Sequence, residues 1–341
     1  MKPLISIVIV NWNGHKWLPA CFGSLARQEY KNFEIIFVDN ASRDGSVAWV
    51  RKHHPPTSVI LNKENLGFSD ANNIGYRNAK GKYVLFLNND TRVTKTFLTE
   101  LVRVMESDRV IGGVQSKILL IDRPDTYDSV GAFLTPTGFL YHYGFGKKDQ
   151  TKYDKQIDLY TAKGACMMFR KDVLDGVAIG RNIFDPDYFA YFEESDLCHR
   201  VWLAGFRIVY AYKSVIYHKM GATSSSMNNT FLQYHSFKNR IRTFLKNLGV
   251  GWLLVIMPLH ILISQFYALL SVLKGHGDIS LAIEKSMSWN VMHLRKTLYL
   301  RKIIQTKMRK VTDRSLMPSI MRCPPVRYYA ASLTNLQTYE E

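Results

Sequence analysis

Three apolar runs in the first ninety residues each end in short polar side chains. Asn11 and Asn13 follow the first, Asp39 and Asn40 the second, and Asn88, Asn89 and Asp90 a later one. Asp90 carries the most direct chemistry, because a hard divalent cation takes oxygen ligands and neutralises a diphosphate as it leaves. Any one of these sites also fits plain turn chemistry, since Asn and Asp favour turns, and Asp90 fits an N-cap or turn before a helix near Lys95. Turn chemistry accounts for all three together much less well.

A second constellation is Glu193, Glu194 and Asp196, three carboxylates flanked by Tyr188, Phe189, Tyr191 and Phe192. Aromatic neighbours exclude water from a carboxylate and raise its pKa, which suits a general base. The competing reading is an acidic turn complementing the dipole of a helix over residues 197–203. Asp196 fits that reading well, Glu193 and Glu194 less so. Being adjacent, Glu193 and Glu194 are expected to point apart, so that only one faces a reacting group. His218 follows a strand-like run over 207–217 and precedes a glycine turn; it reads either as a metal ligand or as a structural histidine.

The segments between these groups must bring them together. Residues 5–10 (ISIVIV) form a continuous run with β-branched residues at five of six positions, as expected of a strand buried on both faces. Helical patterns over 17–28, 46–52 and 68–78 alternate with further strands over 33–38, 58–61 and 83–87. That rhythm predicts a doubly wound, mostly parallel α/β sheet, in which ligands bind beyond the carboxyl ends of the strands. Residues 112–223 read as short strands, glycine turns and aromatic clusters.

Composition is that of an ordinary globular chain, with 47% hydrophobic and 21% charged residues over 341 positions. Four scattered cysteines without a CxxC pair, and no secretory leader at Lys2-Pro3, lead us to expect reduced thiols in a cytosolic setting. The net charge of +17 calls for an anionic partner: nucleic acid, an acidic membrane or phosphorylated small molecules. From Lys238 onward there are sixteen Lys/Arg against five acids, so the excess sits in the last third.

Taken together, residues 5–14 (ISIVIVNWNG), 38–46 (VDNASRDGS), 65–73 (NLGFSDANN), 85–91 (LFLNNDT), 163–170 (KGACMMFR), 185–200 (DPDYFAYFEESDLCHR) and 218–224 (HKMGATS) resemble the family 2 glycosyltransferases. The resemblance covers about residues 3–248 and is nearest to the rhamnosyltransferase-like branch. It implies a GT-A fold and an inverting transfer from a UDP- or dTDP-linked sugar, rhamnose among the candidates, to a hydroxyl of a lipid-linked or cell-surface glycan. It places Asn11, Asp39, Asn65 and Gly67 in the nucleotide pocket, with Asp39 on the base or ribose, and Asn13, Asn40, Asn72 and Asn89 in the same donor-binding set. Asn88-Asn89-Asp90 stands at the DxD position with Asn88 replacing the first Asp, so that Asp90 and His218 are the implied ligands of Mg²⁺ or Mn²⁺. Glu194 stands at the general-base position, with Glu193 beside it. The QxxRW motif of processive members is missing after the acidic cluster, which implies single additions.

Two other classes compete. A nucleotidyltransferase on a doubly wound sheet wants a Gly-rich basic loop after the first strand, where this chain has Asn11-Trp12-Asn13-Gly14-His15. A basic membrane- or nucleic-acid-binding protein explains the charge but leaves the strand-end polar residues idle; no nucleic-acid partner is expected.

The expected division is a catalytic domain over 1–226, with a donor half to about 112 and an acceptor half to 226, and a basic helical region over 227–341. A helix-like stretch at 229–247 precedes an uncharged run at 250–273 that is long enough to cross a bilayer. Lys246 and Lys274 flank it at opposite ends and set no orientation. It reads as spanning, as lying in the interface, or as a buried helix; the interfacial reading is preferred. Arg295, Lys296, Arg301, Lys302 and residues 307–310 then face anionic lipid, which places the protein on the cytoplasmic face of the cell membrane.

Overall fold

The computed structural model describes residues 2–221, 228–325 and 328–329. Their elements are β1 (Ile5–Asn11), α1 (Leu18–Ala26), β2 (Phe33–Asp39), α2 (Ser46–His53), β3 (Ser58–Leu61), α3 (Gly67–Asn78), β4 (Tyr83–Leu87), β5 (Thr91–Val93), α4 (Phe97–Ser107), β6 (Ile111–Leu120) and β7 (Tyr127–Ser129). There follow β8 (Gly131–Leu134), β9 (Leu140–Tyr143), β10 (Cys166–Arg170), α5 (Lys171–Val177), α6 (Glu193–Leu203) and β11 (Arg207–His218). The chain continues through α7 (Asn229–Asn247), α8 (Val250–Leu273), α9 (Gly277–Met292), α10 (Leu294–Ile303) and α11 (Asp313–Ile320).

The main sheet runs β3-β2-β1-β4-β10-β6-β11-β5, with β7 paired to β6. β3, β2, β1 and β4 are mutually parallel, as the alternating pattern predicts. Beyond β4 the sheet turns mixed, because β10 and β5 run antiparallel to their neighbours. Side chains alternate across the pleat of β1: Ile5, Ile7 and Ile9 pack with α1 and α4 on one face, Val8 with α3, α5 and α6 on the other. Both faces are covered, which is why β1 reads as an unbroken apolar run. On the second face α3 comes close because Gly75 has no side chain; a Cβ there would meet Val8 Cγ1 at 2.2 Å.

Register brings the chemistry to one edge. Asn11 lies opposite Asp39, so β1 and β2 end side by side. β10 begins opposite the end of β4, Cys166 against Leu87, which brings residues 163–165 to the same edge. β11 pairs with β5 so that His218 stands opposite Thr91, and Lys219 N–H donates to the Asp90 carbonyl at 3.1 Å.

The seam expected between residues 226 and 227 lies outside the described residues, as does most of the Gly/Ser break before it. Beyond it α7 is no solvated basic helix. Phe244 and Leu248 join the main core, as do Ile256, Ile304, Met308, Leu316, Met317 and Ile320 further on. Lys238, Arg240, Arg242 and Lys246, four of the charges assigned to a basic tail, are buried. Cys21, Cys166 and Cys198 are free and buried, burial lifting each thiol to about 12, and Cys323 is free and exposed.

Candidate functional site

A cavity of about 270 Å³ opens at this edge. One wall is made by Asn40, Asn65, Gly67 and Phe68, the floor by Asn88, Asn89 and Asp90 after β4, and the opposite side by Glu193, Glu194 and His218. Trp12, Lys163, Phe189 and Tyr191 extend the lining.

The wall is braced from behind. Asn11 donates to Asp39 Oδ1 at 3.0 Å and accepts from Asn89 Nδ2 at 2.6 Å, while Asp39 Oδ2 takes the Ser42 N–H at 2.8 Å. Asn40 Nδ2 donates to Asn65 Oδ1 at 3.1 Å and to the Gly67 carbonyl at 3.0 Å. Gly67 has φ +75°, and a Cβ there would sit 2.6 Å from the Phe189 carbonyl, so this position needs glycine on two counts.

Four of the expected donor contacts, Asn11, Asn13, Asp39 and Asn72, do not line the cavity. Asn13 is exposed, with φ 50°, and its Oδ1 accepts the Arg43 N–H at 2.9 Å, which ties the loops after β1 and β2 together. Asn72 points into α3, where its amide donates to the Phe68 carbonyl at 2.9 Å. Asn11 and Asp39 are buried behind the lining, their polar atoms spent on each other and on the loops.

Asp90 is only 6% exposed, so it is not the surface turn residue its flanking sequence suggests. Among the described residues its Oδ1 accepts no hydrogen bond, and it lies 3.4 Å from His218 Nε2. His218 Nδ1 faces Asp128 Oδ2 at 2.7 Å, and Lys163 Nζ donates to Asp128 Oδ1 at 2.8 Å. Burial opposes charge on His218, but Asp90 and Asp128 outweigh it and lift the imidazole to about 9. Burial likewise opposes the charged form of Asp128, and Lys163 with His218 holds it well below the usual carboxylate range. Among the described residues no group of three or more His, Cys, Asp or Glu side chains converges on a metal position. The pair nevertheless fits a hard cation: an orphaned buried carboxylate oxygen faces an imidazole whose far nitrogen is fixed by a carboxylate, an arrangement common behind metal-ligating histidines.

The acidic cluster sits on α6, which begins at Glu193 rather than Leu197. Glu193 and Glu194 both border the cavity, against the expectation that only one would face it. In a helix, neighbours diverge by about 100°, not by the near-opposition of a strand. Asp196 faces the other way. It is fully buried, 3.1 Å from Arg200, 3.0 Å from Lys246 and 3.0 Å from Asn247 Nδ2. Burial raises its pKa, but Lys246 and Arg200 more than reverse that, so side-chain cations dominate where the sequence suggested a helix dipole.

The segment leading into α6 is strained. Phe189, Tyr191 and Phe192 have φ of 61°, 69° and 68°, and Phe189 centres a three-residue turn in which Ala190 N–H donates to the Tyr188 carbonyl at 2.7 Å. Non-glycine residues in such conformations cost on the order of 1–3 kcal/mol each and persist where their surroundings over-determine them. Sequence reasoning had no signal for this, nor for Asp128, which stands in a three-residue strand without a motif. Lys163 was visible only as the first residue of a matching segment.

The curated relative GlyG of Streptococcus pneumoniae is 33% identical over 118 residues, 33% of this chain and 39% of its own length. The chain spans well under half the length of the first curated relatives it matches. Among solved structures, Staphylococcus aureus TarS 1–349 in complex with UDP-GlcNAc superposes with a TM-score of 0.58 at 15% identity, covering 89% of this chain and 87% of that one. The mannosyltransferase PcManGT from Pyrobaculum calidifontis, in complex with GDP-Man and Mn²⁺, gives 0.54 at 15% identity over 98% of this chain and 85% of that one. These likenesses establish the GT-A fold. The family model described as Glycosyl transferase family 2 matches residues 6–177, half of the chain, and this chain belongs to that family.

Proposed function

We propose that the protein is an inverting, single-addition glycosyltransferase. It takes a sugar from a nucleoside diphosphate, UDP- or dTDP-linked, and passes it to a hydroxyl of a lipid-linked or cell-surface glycan at the cytoplasmic face of the membrane. One observation carries this reading: the fold gathers the Asn40/Asn65 wall, the Asp90–His218 pair and the Glu193/Glu194 carboxylates around a single cavity. That UDP-GlcNAc and GDP-Man occupy neighbours of the same fold supports a sugar-nucleotide donor.

Asn40, Asn65 and Gly67 form the nucleotide side, with Asp39 and Asn11 keeping its shape. Asp90 and His218 would hold Mg²⁺ or Mn²⁺, whose chemistry is to neutralise the diphosphate charge. Mn²⁺ in the PcManGT complex supports that assignment. Glu194 removes the acceptor hydroxyl proton as the oxygen attacks the anomeric carbon opposite the leaving diphosphate, with Glu193 beside it. Lys163, at the cavity and 2.8 Å from Asp128, is suited to hold negative charge on donor or acceptor.

The membrane part rests on α8. Its buried positions, Ile256, His260, Ser264, Tyr267, Ala268 and Ser271, form one stripe held on the body, and His260 Nδ1 donates to the Thr137 carbonyl at 3.0 Å. Leu254, Leu262, Phe266, Leu269 and Leu273 on the other side are exposed. A helix held along one side against α9, α7 and the 137–139 turn is suited to lie in the interface, with its outer side in lipid, rather than to cross. Lys274, Lys285, Arg295, Lys302 and Lys307 are exposed for head groups. Arg301 and Arg309 are not, since they donate to the Leu245, Leu248 and Asn247 carbonyls at the end of α7.

The test is a thermal-shift panel of UDP-glucose, UDP-N-acetylglucosamine, dTDP-rhamnose and GDP-mannose with Mg²⁺ or Mn²⁺, followed by assay of nucleoside-diphosphate release. A bound donor raises the melting temperature by mass action, and only with metal. No shift and no release with any donor would sink the proposal.

A further inference from the structure

Resting on that assignment of the base, we propose that Asn239 of α7 is a positioning residue for the reaction. Its amide clamps the strained segment 188–192 and so sets where Glu193 and Glu194 stand. Neither Asn239 nor any other residue of α7 itself lines the cavity, and α7 lies outside the stretch that matches the family model.

The carbonyls of this segment point two ways. Phe189 O faces α3 and accepts from Phe68 N at 2.7 Å and Ser69 N at 3.1 Å. Those of Tyr188, Ala190 and Tyr191 converge on one nitrogen, Asn239 Nδ2, at 3.0, 2.9 and 2.6 Å. Neighbours on α7 extend the grip, His235 Nδ1 donating to Tyr188 O at 3.0 Å and Lys238 Nζ to Asp187 O at 2.6 Å. α7 is itself fixed: Asn290 of α9 donates to the Lys238 carbonyl at 3.0 Å, and Arg242 and Lys246 pair with Asp185 at 2.8 and 2.7 Å.

Three non-glycine residues with positive φ within four positions would relax toward ordinary conformations if released. The last of them, Phe192, is the N-cap of α6, and Glu193 and Glu194 are the next two residues. Any relaxation therefore turns the first helical turn and moves the carboxylates that face the cavity. Asn239 is fully buried and gives one amide to three carbonyls, so its loss frees the strained part while the rest of α7 keeps its ion pairs.

The experiment uses the full chain and the sugar nucleotide selected by the donor panel, with nucleoside-diphosphate release as the assay. Asn239→Ala should lower kcat on the order of 10²-fold, the scale of a misplacement near 1 Å, with UDP affinity by calorimetry unchanged. Hydrogen exchange should rise in peptides covering 188–196 and stay unchanged in β1 to β4. Because Asn239 acts through Glu194, adding Asn239→Ala to Glu194→Gln should cost nothing further. Two outcomes overturn the clamp: a folded Asn239→Ala with wild-type kcat beside an impaired Glu194→Gln, or full additivity in the double variant. A fully active Glu194→Gln would instead end the base assignment itself, and with it the clamp's route through that residue.

Discussion

Asp90 is nine-tenths buried, and among the described residues its Oδ1 accepts no hydrogen bond and has only the His218 imidazole, 3.4 Å away, as a charged neighbour. Asp90→Asn keeps the shape and removes the charge. Its expected result is loss of the Mn²⁺-dependent gain in UDP affinity, read by calorimetry, and nucleoside-diphosphate release at background. Asp128 acts one step back, through His218 Nδ1. Asp128→Asn should weaken Mn²⁺ binding about 10–100-fold in a metal titration of the same affinity, the usual effect of losing a partner behind a ligating histidine. Glu194→Gln should lower kcat by about 10²–10⁴ with donor binding intact, and Glu193→Gln by much less. Since both carboxylates border the cavity, the reverse ranking moves the base to Glu193, and two active variants would place it elsewhere.

At the scale of elements, α6 and α7 are joined by a buried ionic ladder. Arg200 and Lys246 pair with Asp196, and Lys246 and Arg242 with Asp185. Burial alone would raise both aspartates; Lys246 with Arg242 at Asp185, and Lys246 with Arg200 at Asp196, instead holds each below its ordinary value. Groups depressed in the folded state stabilise it fully above their unfolded pKa, near 4, and lose that contribution as pH falls toward the folded value. Urea melts between pH 6 and pH 3 should therefore show stability falling with acid, and Asp185→Asn should flatten the slope. Arg242→Met leaves Asp185 and Asp187 short of a cation and should cost about 3–5 kcal/mol.

For the whole molecule, Leu281, Val291, Met292, Leu298 and Tyr299 on α9 and α10 are exposed as well as the outer side of α8. Exposed apolar side chains in this number on three successive helices are what the proposed membrane contact would use. Leu262→Glu with Phe266→Glu should abolish sedimentation with phosphatidylglycerol vesicles and leave the melting temperature unchanged, because neither side chain packs inward. Raising salt should weaken wild-type binding in part, as expected for exposed Lys and Arg over anionic head groups. Binding by the double variant equal to wild type would remove α8 from the interface. Deleting residues 249–341 is a poor probe, since Ile304, Met308, Leu316 and Ile320 belong to the main core.

The parallel half of the sheet and the polar clusters at its strand ends were legible in the amino-acid sequence. Strand periodicity and turn residues are local, so β1 to β4 and the residues after them could be read from short windows. The acidic cluster and His218 were also legible as residue types. Tertiary structure alone decided the rest. The antiparallel insertion of β10 and the pairing of β11 with β5 bring His218 to Asp90 across more than a hundred residues. Asn13 and Asn72 leave the site because one braces a loop and the other bonds within its own helix, choices that composition does not encode. The four buried cations of α7 looked like tail charge, since a lysine beside an aspartate in space is not beside it in sequence. Most of what positions Glu193 and Glu194 is of this second kind. The strain at 189–192 and the amide that restrains it lie some fifty residues apart, and only folding makes them one device.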